Sequence, residues 1–157
     1  MPKITIQTFI AAPAKVCFDL SRSIDLHKIS TAHTNEEAIE GTTTGLIKLG
    51  EHVTWRARHF GIWFKMTSKI TSLLTNESFT DEMVKGPFKS IVHTHAFNAQ
   101  DGGTLMTDIF EFQSPFGVLG AIVDRLILTA YLRKLLIDRN AIIKKYAEEG
   151  IGKEDLR

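Results

Sequence analysis

Residues 37–112 read as six successive segments in which apolar and polar side chains alternate, and beyond Ser114-Pro115 the chain reads as one helical stretch to about Glu149. Alternation marks strands, whose side chains point to opposite faces in turn. The segments cover residues 37–40, 51–59, 62–71, 77–85, 89–97 and 104–112. Turn-forming residues separate them: three glycines within 41–50, then Gly61, Gly86-Pro87 and Asp101-Gly102-Gly103. Connections of this kind join antiparallel neighbours, because a parallel pair needs a crossover of a dozen residues or more. The helical stretch, a rod of about 45 Å at about 1.5 Å per residue, is too long to be a connector. An antiparallel meander that bends around such a rod encloses a hollow unless bulky side chains fill it.

Ahead of the meander, residues 1–10 alternate as a first strand. Pro13 then stands where a helix can start. Val16, Cys17 and Leu20 mark the apolar side of one short helix, and Ile24, Leu26 and Ile29 that of another. The order β-α-α-β6-α makes a layered α+β fold of about seven strands. With no internal repeat or linker, residues 1–157 are expected to form a single domain, with a fraying polar tail at 150–157. The formal net charge of +1 gives no bias toward polyanions, so nucleic acid is not expected as a partner. A single cysteine, Cys17, excludes an internal disulfide framework and fits a reducing compartment. The chain opens on a strand pattern rather than an apolar secretory stretch, which points to the cytoplasm. The longest apolar run, 116–123, stops at Asp124-Arg125, short of the roughly 20 residues of a bilayer span.

Titratable groups stand among the large apolar ones. Ile91, His93, His95 and Phe97 share one side of their segment, as do Met106, Asp108, Phe110 and Phe112 of the next. A one-residue slip would put Ser90, Val92, Thr94 and Ala96 inside instead, and the sequence leaves both orientations open. If the last hairpin pairs Phe97 with Thr104, His93 lies opposite Asp108, and Asp81 approaches from the other neighbouring strand beside Phe79 and Met83. A carboxylate beside an imidazole fixes its tautomer and raises its pKa, as a general base or a ligand-orienting group requires. His93 and Asp108 are therefore the candidate catalytic pair. His93 and His95 also have a spacing able to share a metal, with Asp81, Asp108 or His59 as a third ligand. No string closes the set, and neither metal nor cofactor is expected.

On a helical wheel, Leu128, Leu132, Leu135, Ile142 and Tyr146 form one stripe that contains Arg139. The Arg139 guanidinium either stays in water above its aliphatic stem, or reaches Asp81, Asp108 or a ligand carboxylate. On the meander, Val53, Trp55 and Ala57 share the apolar side with Ile62, Phe64, Met66 and Ile70, while Trp63 points outward. Trp55, Phe64, Met66, Phe110 and Phe112 line or fill the interior. There is no Walker-type glycine loop, dinucleotide fingerprint or Gly-x-Ser-x-Gly turn, which argues against nucleotide-driven work and serine hydrolysis.

Several local strings fall at matching places in this order of elements: Ile10-Ala11-Ala12-Pro13, Gly45-Leu46-Ile47-Lys48-Leu49-Gly50-Glu51, Gly86-Pro87-Phe88, His93-Thr94-His95, Gly102-Gly103-Thr104 and Ser114-Pro115-Phe116-Gly117. With these, the whole chain resembles the START and pollen-allergen-like superfamily, whose helix-grip fold wraps a curved sheet around a long C-terminal helix. Within it the strings look like the bacterial polyketide cyclase/dehydrase or lipid-transport-like subgroup. The resemblance implies a pocket between sheet and helix for an apolar small molecule. It implies no reaction, since members include lipid carriers, hormone receptors, aromatic-ring cyclases and chaperone activators.

The expected function is binding of a small hydrophobic molecule, lipid or polyketide-like, as carrier or sensor. The candidate contacts are Trp55, Phe64, Met66, Asp81, His93, His95, Met106, Asp108, Phe110, Leu128, Leu132 and Arg139. Two alternatives remain open here. One is a cyclase or dehydratase working through His93 and Asp108. The other is an interaction module in which residues 118–132, apolar nearly all round, dock another chain or a second copy.

Overall fold

The computed structural model describes residues 2–152; Met1 and residues 153–157, with most of the expected tail, lie outside the described residues. The elements follow the expected order. Strand β1 (Lys3–Ile10) leads into α1 (Ala14–Ser21), α2 (Ile24–Ser30) and a 3-10 turn (Ala32–Thr34). The meander follows as β2 (Glu37–Gly41), β3 (His52–His59), β4 (Ile62–Leu74), β5 (Ser78–Lys85), β6 (Ser90–Gln100) and β7 (Gly103–Gln113). Two helices follow, α3 (Gly117–Val123) and α4 (Thr129–Glu148), joined without a break by a π-helical turn (Asp124–Leu128).

All seven strands form one antiparallel sheet in the order β1-β7-β6-β5-β4-β3-β2. β1 pairs along its whole length with β7, so the first and last strands meet at one side. Two register shifts between β4 and β5, at Thr67/Ser68 and Ile70/Ser72, add the local twist that bends a sheet. Gly103 is where β7 crosses the end of β1: a Cβ there would stand 2.2 Å from the Ile10 carbonyl oxygen, a separation no side chain tolerates.

The structure selects one of the two orientations of β6. Ile91, His93, His95 and Phe97 are buried, and the residues between them are not. The hairpin register differs from the expected one by two residues. Phe97 pairs with Met106 rather than Thr104, so Asp108 stands opposite His95, and Phe110 opposite His93. The reason is the turn. Both strands continue past the expected ends to a two-residue connection, Asp101-Gly102, and Gly102 takes a left-handed backbone (φ +80°) that closes it tightly. Ile62 also departs from expectation: at 58% exposed it sits near the free end of the β3–β4 hairpin rather than in the core.

The long helix differs in detail too. Its most buried residues are Leu136, Arg139, Asn140, Ile143 and Ala147, where α4 packs on β1, α1 and α2. Leu128, Leu132 and Leu135 of the expected stripe are only half-buried. They line an internal cavity with Arg139, and Leu128 and Leu132 also pack on the edge of a core cluster. One core cluster, with Phe18, Leu26, Ile70, Phe79, Phe97 and Met106, sits under α1 and α2. A second gathers Ile4, Ile91, Phe112 and Leu136. The cavity borrows walls from both.

Candidate functional site

The hollow expected between sheet and rod has a volume of about 720 Å³, within the range of small-molecule sites. Its walls are mainly apolar, among them Val53, Trp55, Phe64, Met66, Phe110 and Leu132. Against these stands a compact polar cluster contributed by three adjacent strands and the long helix: Asp81 from β5, His93 and His95 from β6, Asp108 from β7, and Arg139 and Asn140 from α4. Strand period places both histidines on the inward face. The hairpin register then brings Asp108 beneath them.

Asp108 is fully buried and is the hub. One carboxylate oxygen, Oδ1, lies 2.9 Å from His93 Nε2 and 3.1 Å from His95 Nδ1. The second contact is close enough for charge attraction but out of line for a hydrogen bond. The other oxygen accepts a hydrogen bond of 2.6 Å from Asn140 Nδ2. On the far side of the rings, His95 Nε2 stands 2.9 Å from Asp81 Oδ2, and His93 Nδ1 stands 3.9 Å from the same oxygen. Each imidazole is thus held between two carboxylates. The rings lie 3.8 Å apart, centroid to centroid, and His95 also stacks on Phe79 at 4.1 Å. Arg139 donates to the Ser21 carbonyl at 2.9 Å and to Asn140 Oδ1 at 3.2 Å, and its Nη1 is 3.7 Å from Asp108. It therefore joins the network rather than reaching for water.

Burial alone would push all four titratable groups toward their neutral forms. On Asp108 this is outweighed by the hydrogen bond from His93 and the close approach of both imidazoles, which hold the carboxyl well below the usual carboxylate range. Burial is likewise outweighed on Asp81, by His95, His93 and Arg139, and its pKa is lowered. The histidines part company. Burial lowers His93, the charge of His95 adds to this, and the two aspartates do not fully compensate. On His95 burial is overcome by the short contacts to Asp108 and Asp81, and its pKa is raised. The arrangement therefore favours the ionised form of both aspartates, the charged form of His95 and the neutral form of His93. The carboxylate at Nε2 assigns the His93 proton to that nitrogen, which leaves the lone pair on Nδ1.

Asp81, His93 and His95 bring one ligand-type atom each within 4.8 Å of one another, the donor set of a two-histidine, one-carboxylate metal site. A cation there would have to displace the proton between His95 and Asp81 and compete with Arg139 for the carboxylates. His59 belongs elsewhere: its Nδ1 is 2.6 Å from Tyr131 Oη.

Of the residues expected to contact a ligand, Trp55, Phe64, Met66, Asp81, His93, His95, Phe110, Leu128, Leu132 and Arg139 line the cavity. Met106 and Asp108 do not. Met106 is fully buried in the core cluster under α1, because the register places it beside Phe97; Asp108 lies one layer behind the histidines. Sequence reasoning missed Asn140. Its signal was a polar residue on the helical face of Leu136 and Ile143. It also missed a second polar group on the cavity wall, where Glu36 accepts from His27 at 3.1 Å and the His27 ring lies against Trp55 at 4.3 Å. Burial would raise the Glu36 pKa, but the charges and hydrogen bonds of His27, Thr31 and His59 bring it down.

No protein-family model matches the chain, and no curated protein matches it by sequence. Solved structures do. A protein from Thermus thermophilus superposes with a TM-score of 0.76 at 12% identity, over 95% of this chain and 99% of its own. The Zhui aromatase/cyclase from a Streptomyces species gives 0.76 at 15% identity, over 96% and 95%. Ginseng major latex-like protein 151 from Panax ginseng gives 0.70 at 20% identity, over 93% and 97%. Sheet order, the pair of short helices and the long terminal helix give this chain the helix-grip fold.

Proposed function

We propose that this protein, as a single helix-grip domain of the cytoplasm, binds a small and largely apolar molecule in the cavity, as a carrier or sensor. The ligand's polar end would rest against His93, His95, Asp81 and Arg139. One observation carries this reading: the buried ionisable cluster faces open space. Burying charged groups costs several kcal/mol each even after relaxation, and an apolar core of the same size is often at least as stable. A compensated cluster beside a void is better suited to meeting a polar atom than to holding the fold. Asp81 supports this, since its side chain is 24% exposed although it lines the cavity.

A second reading is favoured by the division between the histidines. His93, with Asp108 behind it at 2.9 Å and its pKa lowered by burial, is arranged as a general base. It could take a proton from a carbon between two carbonyl groups, and Asp108 would stabilise the imidazolium that results. The carbanion could then add to a second carbonyl carbon, whose C=O π pair moves to an alkoxide that takes the proton back from the His93 imidazolium; the hydroxyl then leaves as water with a proton from the adjacent carbon, which forms the double bond that a cyclase or dehydratase requires. The likeness to an aromatase/cyclase structure supports this reading at the level of fold.

A long-chain acetoacetate ester in deuterated water separates the two. Binding followed by calorimetry, with no faster hydrogen–deuterium exchange at the carbon between the carbonyls, is the outcome for a carrier or sensor. Catalysed exchange that His93→Ala removes while binding persists is the outcome for the base. No binding of the ester, or of a fatty acid of similar length, contradicts both.

A further inference from the structure

The mouth of the cavity has a composition that ligand binding alone does not require. Phe60, Phe116, Leu119 and Val123 both line the cavity and are exposed, which places them at its opening. Next to them, α3 and the π-helical turn present further apolar side chains: Val118 is 79% exposed and Leu126 72%. These are not scattered. Val118, Leu119, Ile122 and Leu126 recur at helical spacing, and the one acidic residue of the segment, Asp124, is turned inward to bind Ser114 through its backbone N–H and its hydroxyl.

The charge around this opening is one-sided. Three segments that supply residues to the cavity wall, 56–65, 83–90 and 115–137, hold eight of the chain's nineteen Lys and Arg residues and one of its eighteen Asp and Glu residues, the buried Asp124, with Glu82 and Asp138 directly beside them. Arg56 is paired with Glu37 and Lys134 with Asp138, but Arg58, Lys65, Lys85, Lys89, Arg125 and Arg133 are exposed. A chain of net charge +1 therefore gathers its positive charge around its apolar end. Two copies meeting face to face through this end would bring like charges together. A surface that is apolar in depth and negative at its rim complements it better. That is the profile of a bilayer with anionic headgroups, which takes apolar side chains to the acyl boundary and holds Lys and Arg at the surface. No helix among the described residues is long and apolar enough to cross a membrane, so the segment would lie on the surface rather than span it.

We propose that the end formed by α3, the π-helical turn and the β3–β4 hairpin docks on an anionic lipid surface, with the cavity mouth facing the bilayer. The proposal stands apart from the reading of the cavity, because docking is measured with no cavity ligand present.

The test is sedimentation of the full chain with phosphatidylcholine vesicles, with and without added phosphatidylglycerol. Binding to the anionic vesicles, at least about tenfold tighter than to phosphatidylcholine alone and weakening as salt is raised, is expected. Val118→Ser with Leu126→Ser should remove it. Both positions are exposed and neither lines the cavity, so thermal unfolding and fatty-acid binding should stay as in the parent. Arg125→Glu with Arg133→Glu should weaken docking by well over tenfold, since each basic group near such a surface contributes roughly fivefold. The proposal is overturned by equal binding to both vesicle types, by binding indifferent to Val118 and Leu126, by no binding at all, or by a stable dimer in solution that the Val118 and Leu126 changes dissolve.

Discussion

Asp108→Ala is expected to cost the fold on the order of 3–5 kcal/mol, a large share of the roughly 5–15 kcal/mol that holds a domain folded. Asp108 is fully buried and accepts from Asn140 while neutralising charge on His95 and Arg139. Without it, His95 and Arg139 lose the carboxylate they share, His93 loses its acceptor, and Asn140 Nδ2 keeps only the 3.5 Å contact to the Thr8 hydroxyl. Asp108→Asn is the informative partner. Whichever way its amide turns, the NH2 group meets a donor, either His93 Nε2–H or Asn140 Nδ2, so a loss of about 1–3 kcal/mol is expected. Urea unfolding measures both. Changes within about 0.5 kcal/mol of the parent, the usual range for surface positions, would mean that the network does not hold together as described.

The same network sets a pH profile. The carboxyls of Asp81 and Asp108 titrate lower in the fold than in the unfolded chain, so their contribution is complete above about 4 and is lost as pH falls through the folded values. His93 is also lowered, so its contribution disappears as pH falls from about 6.5 through its folded value. His95 is raised, so the stability it supplies is complete below about 6.5 and is lost as pH rises through its folded value. Thermal stability should therefore peak near about pH 6–7 and fall on both sides. In Asp108→Asn the alkaline limb should flatten, because His95 has lost one of its two carboxylates.

The second large effect concerns the cavity. Leu132→Trp is expected to weaken binding of a long-chain fatty acid at least about tenfold, or about 1.4 kcal/mol, by filling space the ligand needs. Leu132 lines the cavity and is half-buried against empty volume, so the larger ring has somewhere to go. Stability should change by less than about 1.5 kcal/mol, whereas the same change in a packed core would force neighbours apart. Calorimetry on parent and variant gives both numbers. Equal affinities would place the ligand outside this space.

Much of this architecture could be read before any coordinates, because period-two alternation and glycine turns are local signals. They gave the strand order from β2 to β7 and the hollow behind it. What escaped was set by long-range geometry. The two orientations of β6 have the same alternation, and only the packing of Phe97 against Phe18 and Phe79 decides between them. The hairpin register depends on how far pairing runs before the turn, so His95 rather than His93 came to stand opposite Asp108. His93 reaches Asp108 all the same, because a diagonal neighbour on an antiparallel pair is within reach of a long side chain. Asn140 looked like an ordinary polar residue of a surface helix. Its role needs Asp108, thirty-two residues earlier in the chain, to be in place across the gap. The stripe on α4 was read one position off centre because a hydrophobic wheel does not separate a wall that packs from a wall that encloses a void.

Trp55 gives the most direct test of the cavity itself. The chain has two tryptophans; Trp55 is buried on the cavity wall, and Trp63 is half exposed beneath the Arg56 guanidinium. In a Trp63→Phe protein, fluorescence reports Trp55 alone. Titration with a long-chain fatty acid should change its emission in a saturable way at one molecule per chain, and Arg139→Met should weaken the affinity for the acid more than for the matching alcohol. Emission that stays constant while the protein is saturated with either probe would contradict a ligand-holding interior.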